Sequence, residues 1–312
     1  LLFLPNEVLD IREELREAGR SEEEIDKTIK TTGVKSVHVE KSKPLSEFIF
    51  QGLSATEERH KGLFNDLDSI IVVSQSYDNR IPSISTRVQE KLNLSNDTFC
   101  IDIMDGCAGY IKALALTKML QNDGYKKTLI LSGDLNSIMT SKAEIGTKIL
   151  FGDGISATFI EPDDSENLVK IFNNGDNDNI ISCSAGDNLM NMNGFEVFRF
   201  TKNMVPKLIK DFLAESSHSL DSFDLVGLHQ ASRLVVSTIC NNLRYSNQLC
   251  EDFLCGDIGN LGAGSLGAWL SQVKELPQQS PLKMLAVGFG SGLSWGVASL
   301  NIDLHINEVI NV

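Results

Sequence analysis

Runs of β-branched and other apolar residues, bounded by glycines and polar turns, alternate with longer stretches of helical spacing. Residues 68–74 (DSIIVVS) are a run of the kind that fills a strand buried on both faces. Residues 84–92 follow as a helix, 98–104 as a strand, and 108–120 as a helix apolar on most faces. Residues 127–133 (KTLILSG) read as a third strand and 152–160, entered through glycines, as a fourth. Upstream, 21–31 reads as a helix, with Ser21 as N-cap, Glu22, Glu23 and Glu24 in the first turn, and Gly33 ending it. Residues 44–67 read as further helix, broken near Gly52. Strands alternating with helices indicate a layered α/β fold.

A polar run with proline at 161–167 (EPDDSEN) marks a boundary. Beyond it, 169–186 reads as strand, turn, strand. Residues 197–215 form a long helix interrupted near Pro206, 224–228 a buried strand ending at His229, and 232–243 a helix. A buried helix is expected over 259–272, then strands over 282–289 and 295–302 joined by the turn Gly290-Ser291-Gly292. The halves 1–161 and 162–312 share an order of elements: a buried strand, a helix, a short polar-capped strand, a further helix starting at Cys107 or Asn260, a strand ending in glycine, and a glycine-entered last strand. Identity between them is low, so the likeness is one of elements. It predicts two similar units packed together, with Cys107 and Asn260 at equivalent turns facing each other.

Composition narrows the class. The 312 residues are 42% hydrophobic and 22% charged, enough for a sizeable core. A net charge of -14 argues against a nucleic-acid partner. No apolar run reaches the ~18 residues that cross a bilayer. The opening residues resemble no signal peptide and lack Met, so the native start is expected to be missing. Six scattered cysteines suit a reducing compartment, here taken as the cytoplasm. Cys250 and Cys255, with four residues between them and no nearby His, make a poor zinc pair.

Chemistry-bearing residues sit at strand ends. Cys107 lies between a strand and a buried helix, where free backbone N–H groups favour thiolate. Such a thiolate is a nucleophile for acyl transfer; a small core residue in a strand–helix turn is the plainer reading. His229 ends an apolar strand and reads alone as structural. Asn260 reads alone as an N-cap, and 288–292 as turn glycines. Open α/β sheets bind ligands at such ends.

Six motifs then occur in one order: Asp105-Gly106-Cys107-Ala108-Gly109, Phe151-Gly152-Asp153-Gly154, 192–198 (MNGFEVF), His229-Gln230-Ala231, Gly259-Asn260, and 289–296 (FGSGLSWG). Together they resemble the 3-oxoacyl-acyl-carrier-protein synthase III group of thiolase-fold condensing enzymes, over nearly the whole chain. The resemblance implies a thiolase-like five-layered αβαβα fold of two pseudo-symmetric halves. It implies an acyltransferase in which Cys107 holds an acyl group, and His229 and Asn260 stabilise the enolate of a malonyl thioester. The oxyanion donors it implies are the backbone N–H groups of Cys107 and Ser291, the latter in place of the family's usual glycine. No metal or organic cofactor is implied. The implied partners are an acyl-CoA or acyl-carrier-protein donor, malonyl-acyl-carrier-protein and a second copy of the chain. Transfer of the Cys-bound acyl group to a hydroxyl or amine is the alternative chemistry, and a binding-only subunit is opposed by the intact triad.

Departures from the family mark a divergent member. Where acyl-CoA-primed relatives carry Trp and Arg before a Thr-Gly, this chain has Lys27 and Thr31. Phe195 and Ser232 replace two asparagines that bind pantetheine, and Ile81 replaces an aromatic residue that enters the partner's acyl pocket. Ile81, Phe195 and Ser232 are therefore expected at the substrate pocket. Lys202, Lys207 and Lys210, with Arg199 and Arg233, are expected to form a basic patch for an acidic carrier protein; an ordinary solvated helix face is the plainer reading.

Overall fold

The computed structural model describes residues 1–140, 144–163, 168–175, 180–184, 188–244, 253–273 and 281–312. The strands are β1 (Leu2–Leu4), β2 (Glu7–Asp10), β3 (Ser36–Val39), β4 (Ser69–Val73), β5 (Phe99–Ile103), β6 (Thr128–Leu135), β7 (Asp153–Ile160), β8 (Val169–Asn173), β9 (Ile181–Cys183), β10 (Met190–Met192), β11 (Leu225–Leu228), β12 (Leu282–Gly290), β13 (Ser294–Ile302) and β14 (Val309–Asn311). The helices are α1 (Ile11–Glu17), α2 (Glu22–Thr32), α3 (Leu45–Arg59), α4 (Ile84–Lys91), α5 (Gly109–Asn122), α6 (Ile145–Lys148), α7 (Gly194–Ser216), α8 (Arg233–Leu243) and a last one, α9 (Ser265–Gln272).

Two sheets face each other. One has six strands in the order β14-β1-β7-β6-β4-β5, the other four in the order β11-β12-β13-β8. Between them lie α5 and α9, the former packed against β4 and β6 on one side and β8, β12 and β13 on the other. Tyr110, Ile111 and Trp269 are among the fully buried side chains of this central layer. Each such side chain contributes roughly 1.5–3 kcal/mol by leaving water. Helices α3 and α4 cover the outer face of the first sheet, and α2, α7 and α8 that of the second. This is the five-layered αβαβα arrangement. The last strand, β14, returns to pair in parallel with β1, so the first sheet includes residues from the far end of the chain.

Two expected helix breaks are absent. Helix α3 runs unbroken through Gly52. A glycine there costs about 1 kcal/mol against alanine, but the missing side chain admits the ring of Phe3, which lies 2.3 Å from where a β-carbon would be. Helix α7 likewise continues through Pro206. Proline removes the amide that would serve the Lys202 carbonyl; Asn242 Nδ2, from α8, donates to that carbonyl instead at 3.2 Å. The helix expected from Asn260 starts later: 262–264 form a 3₁₀ turn and α9 begins at Ser265. The elements β1, β2, β3, β14 and α1, of three to seven residues, carry too few positions for a period to register in the sequence.

Candidate active site

Cys107 stands in the turn between β5 and α5. The helix proper starts at Gly109, whose missing side chain lets the turn close against Val73 Cγ1, 2.5 Å from the β-carbon position. From the other half, the end of β12 meets the cysteine. A β-carbon on Gly290 would lie 2.7 Å from Cys107 Cβ and 3.0 Å from its Sγ, and one on Gly288 would lie 3.0 Å from the Cys107 carbonyl. Only glycine at both positions allows this approach. The side chain is half-buried. Its thiol is pushed up to about 12, first by burial, then by the charges of Asp134 and Asp105, against a smaller lowering by its own backbone N–H. The resting group is therefore a thiol, and the thiolate expected from the helix N-terminus alone is outweighed by loss of water.

The same strand end positions His229. Its backbone N–H donates to the Val287 carbonyl at 2.8 Å, and its ring lies edge-on to Phe289 with centroids 5.2 Å apart. The imidazole is buried and pushed down to about 3 by that burial, so it is neutral at working pH. Its Nδ1 is buried with no hydrogen-bond partner among the described residues.

Asn260 is held by both chain directions. Its N–H donates to Leu150 O at 2.9 Å, its carbonyl accepts from Gly152 N at 3.1 Å, and it forms a parallel bridge with Phe151. The side-chain Oδ1 accepts from Gly262 N and from Ser265 Oγ, each at 3.0 Å. With the oxygen so occupied, Nδ2 is the end of the amide left to donate to a ligand.

The glycine turn completes the arrangement. Among the described residues, neither the Cys107 nor the Ser291 N–H donates to a backbone carbonyl. Two such donors, one on each turn and neither spent on a backbone carbonyl, suit a developing oxyanion. The Ser291 side chain leans over the first turn: its Oγ lies 2.4 Å from the β-carbon position of Gly106 and within 3.5 Å of Gln75 Nε2.

Buried Asp134, which the motifs did not single out, stands between the two halves. Its Oδ1 accepts from Ser74 Oγ, Gln75 N, Ser76 N and Ser76 Oγ at 2.6–3.2 Å. Its Oδ2 is 2.6 Å from the β-carbon position of Gly262 in the Asn260 turn. Burial raises its pKa. A second group missed by sequence is the apolar cluster Met139, Phe151 and Met190, with Leu150 and Met192 against it. The residues are spread over 139–192, and among the described residues the bridge from Phe151 and the Leu150 carbonyl tie them to Asn260.

The expected pocket residues lie on separate elements at the surface or at a helix start. Ile81 is 86% and Phe195 72% exposed, the latter on the first turn of α7. Ser232 is the N-cap of α8, accepting from Val235 N at 3.3 Å. Lys202, Lys207 and Lys210 share a shallow surface depression with Asn242. Lys207 pairs with Asp211, Arg199 pairs with Glu196, and Arg233 packs on Gly33 instead. Of the suggested zinc pair, Cys250 lies outside the described residues, and Cys255 is buried with its thiol pKa raised by that burial. Among the described residues, no helix is long and apolar enough to cross a membrane.

Comparison with known proteins joins these features. The profile of 3-oxoacyl-[acyl-carrier-protein] synthase III matches residues 101–176, and that of the same family's C-terminal part matches residues 213–302. Together they span more than half of the chain. Among curated relatives, the β-ketoacyl-[acyl-carrier-protein] synthase III of Acholeplasma laidlawii is 28% identical over 275 residues, 87% of each chain. A putative 3-oxoacyl-[acyl-carrier-protein] synthase 3 of Campylobacter jejuni is 29% identical over 271 residues, 79% of this chain and 76% of that one. Among solved structures, a 3-oxoacyl-(acyl-carrier protein) synthase from Burkholderia xenovorans superposes with a TM-score of 0.88 at 24% identity, covering 100% of this chain and 95% of that one. The synthase III of Thermus thermophilus gives 0.85 at 22% identity, covering 97% of both. At these identities the structures show the fold, which is thiolase-like.

Proposed function

The chain belongs to the 3-oxoacyl-[acyl-carrier-protein] synthase III family as a divergent member, and from that membership we propose that it forms a 3-oxoacyl thioester by decarboxylative Claisen condensation. The observation that carries this reading is the end of β12, where one strand tip touches residues of both half-reactions: Gly290 backs Cys107, while Val287 and Phe289 hold His229.

In the first half-reaction the Cys107 sulfur attacks the carbonyl of an acyl-CoA or acyl-carrier-protein thioester. The oxyanion sits between the Cys107 and Ser291 N–H groups, the donor's thiolate departs, and the cysteine proton leaves with it. An acyl-enzyme results. In the second, malonyl-acyl-carrier-protein loses its carboxylate as CO₂. Neutral His229 and Asn260 Nδ2 donate to the thioester oxygen, on which the enolate charge collects. The carbanion attacks the acyl-Cys107 carbonyl, a carbon–carbon bond forms as the carbon–sulfur bond breaks, and the cysteine leaves as a thiolate that takes a proton from solvent to restore the thiol. A neutral imidazole suits this step, because it donates without adding a charge that burial would penalise. The apolar Met139–Phe151–Met190 cluster beside Asn260 suits the acyl chain.

A homodimer and a cytoplasmic location belong to the same reading. Strand β5 is an open edge of the six-stranded sheet among the described residues. Asp102 on it accepts from Ile84 N and Ser85 N, which pins the segment carrying Ile81 beside that edge; Met104 there is 78% exposed. A second copy adding its own β5 would cover these side chains. Lys202, Lys207 and Lys210 supply positive charge for an acidic carrier protein.

The test is the intact-protein mass after incubation with a panel of acyl-CoAs and acyl-carrier-proteins, beside a Cys107→Ala control. Wild type is expected to gain one acyl group, the control none. Adding malonyl-carrier-protein should then clear the adduct and yield a product lengthened by two carbons. Absence of any adduct across the panel would overturn the reading.

A further inference from the structure

The turn that carries Cys107 also carries a carboxylate, and the structure supplies it with a cation. Asp105 Oδ1 accepts from Gly106 N at 2.8 Å, and its Oδ2 pairs with Lys112 Nζ. Lys112 lies in the first turn of α5, the end of a helix where a positive charge is disfavoured. Its place there calls for a local partner. The two side chains are only 26% and 12% exposed, so water screens the pair less than it screens a surface one. The same ammonium donates to Ser294 Oγ at 3.1 Å, and Ser294 Oγ donates to Asn173 Oδ1 at 2.9 Å. Ser294 opens β13 just past the glycine turn, and Asn173 closes β8. Gly292, between Ser291 and Ser294, has a φ of +127°, and a β-carbon there would lie 2.6 Å from Ser294 Oγ. The chain Asp105–Lys112–Ser294–Asn173 thus runs from the nucleophile turn of one half to the glycine turn of the other.

Resting on the reading of Cys107 as nucleophile, we propose that Lys112 is a positioning residue that fixes the spacing of the two oxyanion turns through Asp105 and Ser294. It also neutralises the carboxylate nearest in sequence to the sulfur. Asp105 is one of the two charges that hold the Cys107 thiol up, and stripping its counter-ion strengthens that effect.

The experiment compares wild type with Lys112→Met, Lys112→Arg and the double variant Asp105→Asn/Lys112→Met. Iodoacetamide alkylation is followed at Cys107 by peptide mass between pH 6 and 11, alongside kcat, KM and the thermal midpoint. Across this range, which lies below the thiol's midpoint, Lys112→Met is expected to slow alkylation about tenfold at each pH, the equivalent of moving the curve one pH unit upward. Its kcat should fall roughly tenfold, with KM within about twofold of wild type. Arginine should recover most of both. The double variant should recover the alkylation curve but not kcat, since the tie to Ser294 stays cut. A wild-type curve and kcat in Lys112→Met would overturn the proposal. So would losses that follow a lowered thermal midpoint and that neither Arg nor Asp105→Asn relieves. Alkylation needs no acyl donor. If wild type takes no acyl group while the Lys112→Met curve still shifts, the condensing reading falls and the role of Lys112 at the sulfur stands.

Discussion

The two halves build one scaffold and put different chemistry on it. In the first, β4 and β6 are parallel, β6 and β7 antiparallel, and β7 and β1 antiparallel; in the second, β11-β12-β13-β8 repeats that order and those directions. The residue after β4 is Ser74, whose hydroxyl donates to Asp134; the residue after β11 is His229, whose Nδ1 has no partner among the described residues. The first half runs from strand through a short turn straight into α5, so Cys107 is two residues from the helix start. The second places a longer turn before α9, so Asn260 is five residues from its helix and spends its oxygen on that turn. On the proposed reading, a shared framework carries the nucleophile on one side and two neutral hydrogen-bond donors on the other. The proposed division of a two-step reaction between the halves would then follow from how each turn closes.

Breaking one half at a time gives the largest effect. Cys107→Ala should abolish both the acyl adduct and turnover. His229→Ala and Asn260→Ala should keep the adduct and lower condensation by about 10²–10⁴-fold. Adduct mass and product formation, measured on the same samples, separate the two. If either second-half variant also lost the adduct, the division of labour would be wrong.

The next largest effect concerns the seam. Gly290→Ala presses a methyl group on Cys107, so acylation should fall roughly 100-fold. Gly52→Ala presses on Phe3 in the outer layer, costing roughly 1–3 kcal/mol by overpacking. It should lower the thermal midpoint and leave the adduct rate of the folded protein unchanged.

The halves should also titrate oppositely. His229, held down to about 3 from an ordinary 6.5, contributes stability above pH 6.5 that is lost as pH falls toward 3. Asp153, raised to about 6 by burial, contributes stability at low pH that is lost as pH rises from about 4 to 6. Thermal midpoints of wild type and His229→Phe across pH 4–8 should converge toward the acid side if the histidine carries the acid loss, and should stay parallel if it does not.

The smallest expected effect tests the repair of α7. Asn242→Ala should cost roughly 0.5–1 kcal/mol by freeing the Lys202 carbonyl. In a Pro206→Ala background, where the helix amide returns, the same change should cost less. A double-mutant cycle with no coupling would show that Asn242 does not compensate for the proline.

Patterning alone placed the long buried strands, the central helix after Cys107 and the two-fold order of elements, because burial on both faces writes continuous apolar runs that need no partner to be recognised. The candidate site was legible in another way: Cys107, His229 and Asn260 each occupy a strand end or turn that has a plain structural reading alone, and only the six motifs together, by their family resemblance, single them out. Gly52 and Pro206 misled, since a helix breaker is read locally while its compensation, Phe3 in one case and Asn242 in the other, comes from elsewhere in the chain. Only the tertiary structure decided that β14 returns to the first sheet, that Asp134 stands between the turns, that Lys112 bridges them, and that the Cys107 sulfur rests as a thiol. Each depends on residues distant in sequence meeting in a site with little water, where desolvation and single charges outweigh the preferences of a turn taken by itself.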